Sequence, residues 1–390
     1  MATASRRALI VAGEASGDLH GANLIKAARR LDPGLSFFGV AGPRMAEAGC
    51  EVVVPSEELS VMGLVEVIGH LPKLQRVFRR LVTILNGPQR PDVLVLIDFQ
   101  DFNQRLAKRA RAAGVPVLFY IGPKVWAWRS GRARTIGRVV DRLAVIFPFE
   151  PDCYRGEAVE VEYVGNPLAD EAKVKRGRDE FLRQYGLDPA APVVGLFPGS
   201  RRSEIRYVFE TIKQGAEQIR ESQPQVQFLL PVASSLRPQL FSSLLAESDL
   251  PITLVEDDIY DTANACDAVV CVSGTVTLQT ALVGTPMVIV YKMSPLSYEV
   301  GRRIVKVEHI GLANIVAGEE VARELIQNEA NSGNIAFEIL RILEDPEYRL
   351  QLRQGLAKVW ERIGSPGCAE RVARMASEMS RGIVHGKGHS

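Results

Sequence analysis

The run Val93-Leu94-Val95-Leu96-Ile97 contains no polar residue and ends abruptly at Asp98. Five consecutive leucine or β-branched residues between helix-length segments suit a strand covered on both faces, as in a parallel sheet. Runs of this kind recur. In the first half, strands are expected at Ala8–Ala12, Ser36–Ala41, Glu51–Val54, Asp92–Asp98, Pro116–Ile121 and Arg142–Phe147. Helical patterns such as His20–Arg30 and Asn103–Ala113 separate them. Such alternation predicts a doubly wound α/β domain.

The second half starts the pattern again. Val193–Pro198 runs into Gly199-Ser200-Arg201, and Gln227–Pro231, Ile252–Val255, Ala268–Val272 and Pro286–Lys292 follow. Beyond Gly318 the chain reads as mainly helical. The expectation is an α/β protein of two Rossmann-like domains, 1–168 and 169–360, with residues 361–390 forming a C-terminal helix and a frayed tail. The junction is placed in the proline-containing, charged stretch Gly165–Ala191. Ligands of such folds sit beyond the strand C-termini, so the site is sought at the turns that follow the strands.

Composition removes several classes. Lys and Arg total 47 against 46 Asp and Glu, so there is no basic excess to support general nucleic-acid binding. The five cysteines form no C-x-x-C pair, which argues against a disulfide framework and a zinc site. No apolar run approaches the ~18 residues of a membrane span. The short run Ala8–Gly13 meets Glu14 and is read as a strand rather than a signal-peptide core, so a cytoplasmic protein is expected.

The first post-strand turn reads Gly13-Glu14-Ala15-Ser16-Gly17-Asp18-Leu19-His20. Its glycines allow a tight path into a helix N-terminus, where free amides favour anions. It is not G-x-G-x-x-G, so a dinucleotide enzyme is disfavoured. Ser16 or Asp18 could serve as an N-cap, whereas Glu14 has no such role. After the fourth strand, Asp98 and Asp101 stand three apart at the turn Asp98-Phe99-Gln100-Asp101-Phe102-Asn103. A carboxylate there suits a general base, and Asp101 suits equally a cap for a helix near Asn103.

The turn Gly122-Pro123-Lys124-Val125-Trp126-Ala127-Trp128-Arg129 holds two of the three tryptophans beside a cation. Amphipathic aromatics in a loop suit a sugar or lipid surface. Arg132, Arg134, Arg138 and Arg142 extend the basic stretch, either as a solvated face or towards phosphate. In Leu59–Leu85, residues Leu74, Val77, Phe78, Leu81, Ile84 and Leu85 keep helical spacing, with Arg76, Arg79 and Arg80 between them. A core-facing helix is the first reading and an interfacial helix the second. In the second half, Arg201 follows a strand and can take a phosphate bidentately. Ser273-Gly274-Thr275, between the apolar strand and a helix, is the strongest anion site, although it is no Walker A loop. No D-x-D pair is present to cradle a metal–nucleotide, and no cofactor or metal is expected.

Taken together, VAGEASGDLHGA, PDVLVLIDFQDFN, VWAWR, FPFEPDCY, LFPGSRRSEI, SGTVTLQTALVGTPMVIVYKMSP and Leu312–Gly318 resemble the lipid-A-disaccharide synthase family, in order from about residue 8 to about 360. The resemblance implies a GT-B glycosyltransferase architecture with C-terminal helices crossing between domains. It implies inverting, metal-independent transfer of 2,3-diacylglucosamine from its UDP derivative to 2,3-diacylglucosamine 1-phosphate. The product is then a β-1,6-linked disaccharide 1-phosphate, with UDP released, at the cytoplasmic face of the inner membrane; some members dimerise. Departures from the family pattern stand at Lys124, Asn166, Gln279 and Ala313.

On this reading Asp101 is the base and Asp98 orients it or raises its pKa. Glu14 and Ser16 position the acceptor, with Gly17, Asp18, Trp126, Trp128 and Arg129 on the acceptor or lipid side. Arg201, Ser273, Gly274 and Thr275 hold the diphosphate, and Gln279 and Asn314 the nucleoside. Leu64–Leu85 and Trp126–Arg142 are expected against the membrane. The alternatives are another GT-B enzyme using UDP-N-acetylglucosamine and a weakened nucleotide-sugar binding protein at the membrane surface.

Overall fold

A computed structural model describes residues 6–59, 67–126, 131–233, 235–246, 248–295, 297–299 and 307–383, without the side chains of 67–71. The chain divides into two compact units, Met1–Pro167 with Ser365–Ser390, and Leu168–Gly364. Among the described residues no helix is long and apolar enough to cross a membrane.

The first unit is built on β1 (Arg6–Ala12), β2 (Leu35–Ala41), β3 (Glu51–Pro55), β4 (Val93–Ile97), β5 (Val117–Tyr120), β6 (Arg142–Val145) and β7 (Glu160–Tyr163). They form one parallel sheet in the order β3-β2-β1-β4-β5-β6-β7. The expected continuous apolar strands are the central ones: every residue of β4 is buried, and Val11 lies beside Leu96. Helices on both faces seal the sheet. One is Val67–Asn86, whose Val77, Leu81 and Leu85 are buried in the core while Leu74, Phe78 and Ile84 pack against it.

The last helix, Cys368–Ser380, belongs to this unit rather than to a separate tail, and packs on the Ala15–Leu31 helix. Val372, Ala373, Met375, Ala376 and Met379 enter the core. Polar ties accompany them: Arg6 donates to Asp32 at 2.7 Å, the Ser377 hydroxyl to the other Asp32 oxygen at 2.5 Å, and Arg142 to Glu378 at 2.7 Å.

The second unit carries β8 (Val193–Phe197), β9 (Gln227–Pro231), β10 (Ile252–Val255), β11 (Ala268–Val272), β12 (Met287–Tyr291) and β13 (Arg323–Ile326). This sheet is also parallel, in the order β10-β9-β8-β11-β12-β13. Two strands were not expected from the sequence, β7 and β13; the latter is a four-residue exception in a stretch that is otherwise mainly helical after Gly318, as expected. Both close one edge of a sheet and both carry carboxylates. Those of β7, Glu160 and Glu162, reach Arg142 of β6 at 3.0 and 2.9 Å, so a charged segment is held as a strand by its neighbour's buried guanidinium.

Candidate active site

In each sheet the strand order reverses beside its first strand, between β1 and β4 in one unit and between β8 and β11 in the other. The crevice beyond such a switch point is where open α/β sheets take ligands. The turns after those four strands are Gly13–Gly17, Asp98–Phe102, Gly199–Arg201 and Ser273–Thr275, the turns singled out in the sequence.

At the first switch point, Asp98 and Phe99 both adopt left-handed backbone, with φ of 46° and 50°. Non-glycine residues are held there only when their surroundings impose it. Asn103, fully buried, imposes it by donating to the carbonyls of Ile97 at 3.2 Å and Asp98 at 2.7 Å. The turn presents a half-buried Asp98, whose pKa is raised above the ordinary aspartate value by burial, against opposing contributions from the Phe99 amide and Lys124. The helix begins at Gln100, not near Asn103, so Asp101 lies inside the first turn rather than at the cap. Its side chain is 77% exposed and accepts from Arg132 at 2.9 Å. Asp101 does not figure among the causes that raise Asp98.

On the neighbouring turn Glu14 and Ser16 are exposed at the start of the Ala15–Leu31 helix, and Gly17 is buried against Ala12. Asp18 corrects the expectation for it. It is 4% exposed, and its carboxylate accepts from the amides of Gly42 (2.9 Å), Arg44 (3.0 Å) and Met45 (3.1 Å). It therefore holds the start of the neighbouring Pro43–Glu47 helix, buried against backbone amides rather than presented at the surface.

Beyond β5, Lys124 is exposed and Trp126 half-buried. The indole Nε1 donates to Glu150 Oε1 at 3.2 Å, and Phe147 and Phe149 meet the ring edge-on. Glu150 was not singled out from the sequence. Trp128 and Arg129 lie outside the described residues. Of the basic stretch, Arg134 and Arg138 are exposed, but Arg142 is 4% exposed and spent on Glu160, Glu162 and Glu378. That corrects its assignment to a membrane or phosphate face. Of the expected membrane face of Leu64–Leu85, the side chains of 64–71 lie outside the described residues; beyond them Leu74, Val77, Phe78, Leu81, Val82, Ile84 and Leu85 lie in or against the core, and Arg76, Arg79 and Arg80 are exposed. Residues 60–66 lie outside the description.

At the second switch point, Gly199 has φ +101° and lets the chain turn into the Arg202–Ser222 helix. Glu204 reaches back to the amides of Ser200 (3.2 Å) and Arg201 (3.3 Å). Arg201 itself is 78% exposed, bonded to Glu204 at 2.8 Å. Gly274 stands at the N-cap of the Thr275–Leu282 helix with open space above it. The Ser273 hydroxyl donates to the Ile310 carbonyl at 2.7 Å, so it ties the turn to a loop instead of standing free for an anion. Gln279 is half-buried beside the Tyr260 hydroxyl.

Asn314 is the clearest correction. It is 0% exposed and its amide is fully used. Nδ2 donates to Ala322 O and Glu324 Oε1, both at 2.8 Å, and Oδ1 accepts from Val321 N at 2.9 Å and Ala322 N at 3.0 Å. Glu324 in turn accepts from Ile310 N and Gly311 N, each at 2.9 Å. A side chain with every donor and acceptor occupied holds the loop and does not read a nucleoside.

Among the described residues no group of three or more His, Cys, Asp or Glu side chains is placed to hold a metal ion. A cavity of about 380 Å³, lined by Arg90, Asp92, Pro116 and Ser380 among others, lies at the opposite end of the first sheet, where the strands start.

Comparison with known proteins is consistent along the whole chain. A family model described as lipid-A-disaccharide synthetase matches residues 8–371. The lipid-A-disaccharide synthase of Syntrophotalea carbinolica is 61% identical over 378 residues, 97% of this chain and 96% of that one. That of Geobacter sulfurreducens is 55% identical over 376 residues, 96% and 97% of the two chains. Among solved structures, a UDP-GlcNAc 2-epimerase from Neisseria meningitidis superposes with a TM-score of 0.65 at 14% identity, covering 95% of this chain and all of that one. Acinetobacter baumannii MurG gives 0.56 at 14% identity, covering 96% and 99%. At such identities these two carry the fold alone.

Proposed function

The chain belongs to the lipid-A-disaccharide synthase family, and from that premise we propose how its two units divide the reaction. The protein is a glycosyltransferase of lipid A biosynthesis and takes its donor as a UDP-sugar. It moves 2,3-diacylglucosamine from UDP to the 6-hydroxyl of 2,3-diacylglucosamine 1-phosphate, forming the β-1,6 disaccharide 1-phosphate.

The second unit holds UDP. Arg201 and the first-turn amides of the Thr275–Leu282 helix meet the diphosphate, where a guanidinium and a helix N-terminus both favour negative charge. Gln279 takes a nucleoside hydroxyl through its amide. Ser273 works one step back, fixing the loop at Ile310.

The first unit holds the acceptor near Glu14, Ser16, Gly17 and Trp126, and supplies the base. We place the base at Asp98 rather than Asp101. The supporting observation is burial: Asp98 is half-buried with a raised pKa at the switch point, whereas Asp101 is exposed and bonded to Arg132. A base works best with a pKa close to the working pH. Asp98 takes the proton of the acceptor 6-hydroxyl as its oxygen attacks the donor C1 from the face opposite UDP. The C1–O bond to UDP breaks with its electron pair on the phosphate, and Arg201 and the helix N-terminus meet that charge. One displacement inverts C1. Asp101 then orients Arg132 at the rim of the turn.

Transfer needs no divalent ion on this reading, so EDTA should leave turnover intact; loss restored by a divalent ion would contradict it. The acylated substrates imply work at the inner face of the inner membrane. The outward Arg76, Arg79 and Arg80 supply salt-sensitive attraction to anionic lipid, without insertion of the helix that bears them. Sedimentation with anionic vesicles at low salt tests this, and equal recovery in the supernatant with and without lipid would contradict it. A homodimer, as the family resemblance implies, would appear as a doubled mass in sedimentation velocity. The function itself is tested by incubating the pure protein with both substrates. Disaccharide 1-phosphate and UDP should appear in equal amounts.

A further inference from the structure

Glu150 is a carboxylate to which the reaction above assigns no task. It follows β6 in the turn Phe147-Pro148-Phe149-Glu150 and is 4% exposed. It stands at the cap position of the short helix Pro151–Tyr154 but makes no side-chain bond to it. Instead it turns back. Oε2 accepts from the amides of Ile146 at 3.0 Å and Phe147 at 2.9 Å, and Oε1 accepts from Trp126 Nε1 at 3.2 Å.

Trp126 is fixed from three sides by this arrangement. Its polar edge is tethered to Glu150, while Phe147 and Phe149, stacked on one another at 5.6 Å, meet it edge-on at 6.0 and 5.4 Å. The turn is pinned again where the Tyr154 hydroxyl donates to Pro123 O at 3.4 Å. Between Pro123 and Trp126 stands the exposed Lys124, whose charge acts on both Asp98 and Glu150. Burial pushes the Glu150 pKa up to about 7, against the pull of its donors and of Lys124. An indole held at a fixed angle, with a cation two residues away and the half-buried Asp98 within that cation's field, suits an acylated sugar that carries a phosphate.

We infer that Glu150 is a positioning residue for the acceptor: it holds the Trp126 indole, and with it the turn that carries Lys124, beside Asp98. This rests on the acceptor-side reading of Trp126. Glu150 touches no substrate and acts through Trp126.

The test uses the full chain with both natural substrates and three variants: Glu150→Gln, Trp126→Phe and the two combined. A carboxamide keeps the volume of the carboxylate but cannot accept through its nitrogen, so either the indole or the two backbone amides lose their acceptor. The acceptor KM should rise about 10-fold or more in each single variant, the scale of a charged hydrogen bond. Donor KM and kcat should stay within about 3-fold, since uniform binding alone is lost. The indole N–H resonance of Trp126, identified as the one missing in Trp126→Phe, should shift in Glu150→Gln. The combined variant should be no worse than the poorer single one, because both act through one contact.

An unshifted indole resonance, an equal rise in both KM values, or additive losses in the combined variant would overturn the inference. If Glu150→Gln does not fold, Trp126→Phe decides, and an unchanged acceptor KM overturns it. Wild-type protein that makes no disaccharide would refute the proposed function; active wild type with any of these results refutes the role of Glu150 alone.

Discussion

The ring of Phe99 lies over Gly13 so closely that a β-carbon at residue 13 would stand 2.6 Å from it. This contact joins the turn after β1 to the turn after β4, and it is possible only because residue 13 has no side chain. Phe99 cannot retreat freely, since its backbone is held left-handed next to Asp98.

Gly13→Ala should therefore destabilise the first unit by ~1–3 kcal/mol, the cost of overpacking, and slow turnover by displacing Asp98. UDP affinity should be kept. Gly131→Ala, where a β-carbon meets nothing within 4 Å, serves as the control. Denaturant melts of the two variants make the comparison; a Gly13→Ala protein as stable and active as the control would contradict the packing argument.

Arg201 and Asn314 were both expected to meet UDP, at the diphosphate and the nucleoside; Arg201 is exposed, whereas Asn314 is buried with its amide fully bonded. Arg201→Ala should weaken UDP binding by ~1.5–3 kcal/mol, the scale of a charged hydrogen bond. Its stability should change by less than ~0.5 kcal/mol, as for an exposed side chain. Asn314→Ala takes the acceptor from the buried amides of Val321 and Ala322 and the donor from the Ala322 carbonyl, and should cost ~2–4 kcal/mol of stability. Calorimetry with UDP beside thermal melts separates the two. Loss of UDP affinity in Asn314→Ala at full stability would restore Asn314 to the nucleotide.

His20 supplies a pH dependence. Its Nδ1 is sealed without a partner, and burial lowers its pKa from 6.5 to about 4. The unfolded chain binds the proton more readily, so stability present above pH 6.5 is lost as the pH falls towards 4. His20→Phe cannot take up a proton. The stability difference between wild type and variant should thus shift by up to about 2 kcal/mol in the variant's favour between pH 7 and pH 5. Denaturant titrations at the two pH values measure it, and a constant difference would mean that His20 is not buried neutral.

The central strands and the four site turns were legible because burial on both faces of a parallel sheet forces continuous apolar runs, and β4 is one. Of the four edge strands, β3 and β10 were expected and β7 and β13 were not. In β7 the carboxylates Glu160 and Glu162 read as solvent-exposed until the buried Arg142 is seen beside them. In β13 the carboxylate of Glu324 answers the amides of Ile310 and Gly311 across a chain separation that no local pattern reveals. The same limit explains Asn314 and Asp18. A polar side chain at a turn looks alike whether its partner is a ligand or a distant stretch of backbone. Glu150 was missed for the converse reason: its run, Phe-Pro-Phe-Glu-Pro, reads as a loop, and only the fold brings Trp126 to it.

The raised pKa of Asp98 should place the acidic limb of kcat/KM above the ordinary aspartate value of 3.8, with activity rising as the carboxylate ionises. Asp98→Asn should abolish that limb. A residual limb at the same pH in the variant would assign it to another group.

The most direct measurement is the rate of disaccharide formation at saturating donor and acceptor in Asp98→Asn and Asp101→Asn, beside UDP affinity in each. Asp98→Asn keeps the shape and removes the basicity, so its rate should fall by ~10²–10⁴-fold, the usual share of a general base, with UDP affinity unchanged. Asp101→Asn, which loses a bond to Arg132 on an exposed face, should retain a rate within about 10-fold of wild type. A near wild-type rate in Asp98→Asn together with a dead Asp101→Asn would contradict the account and return the base to Asp101.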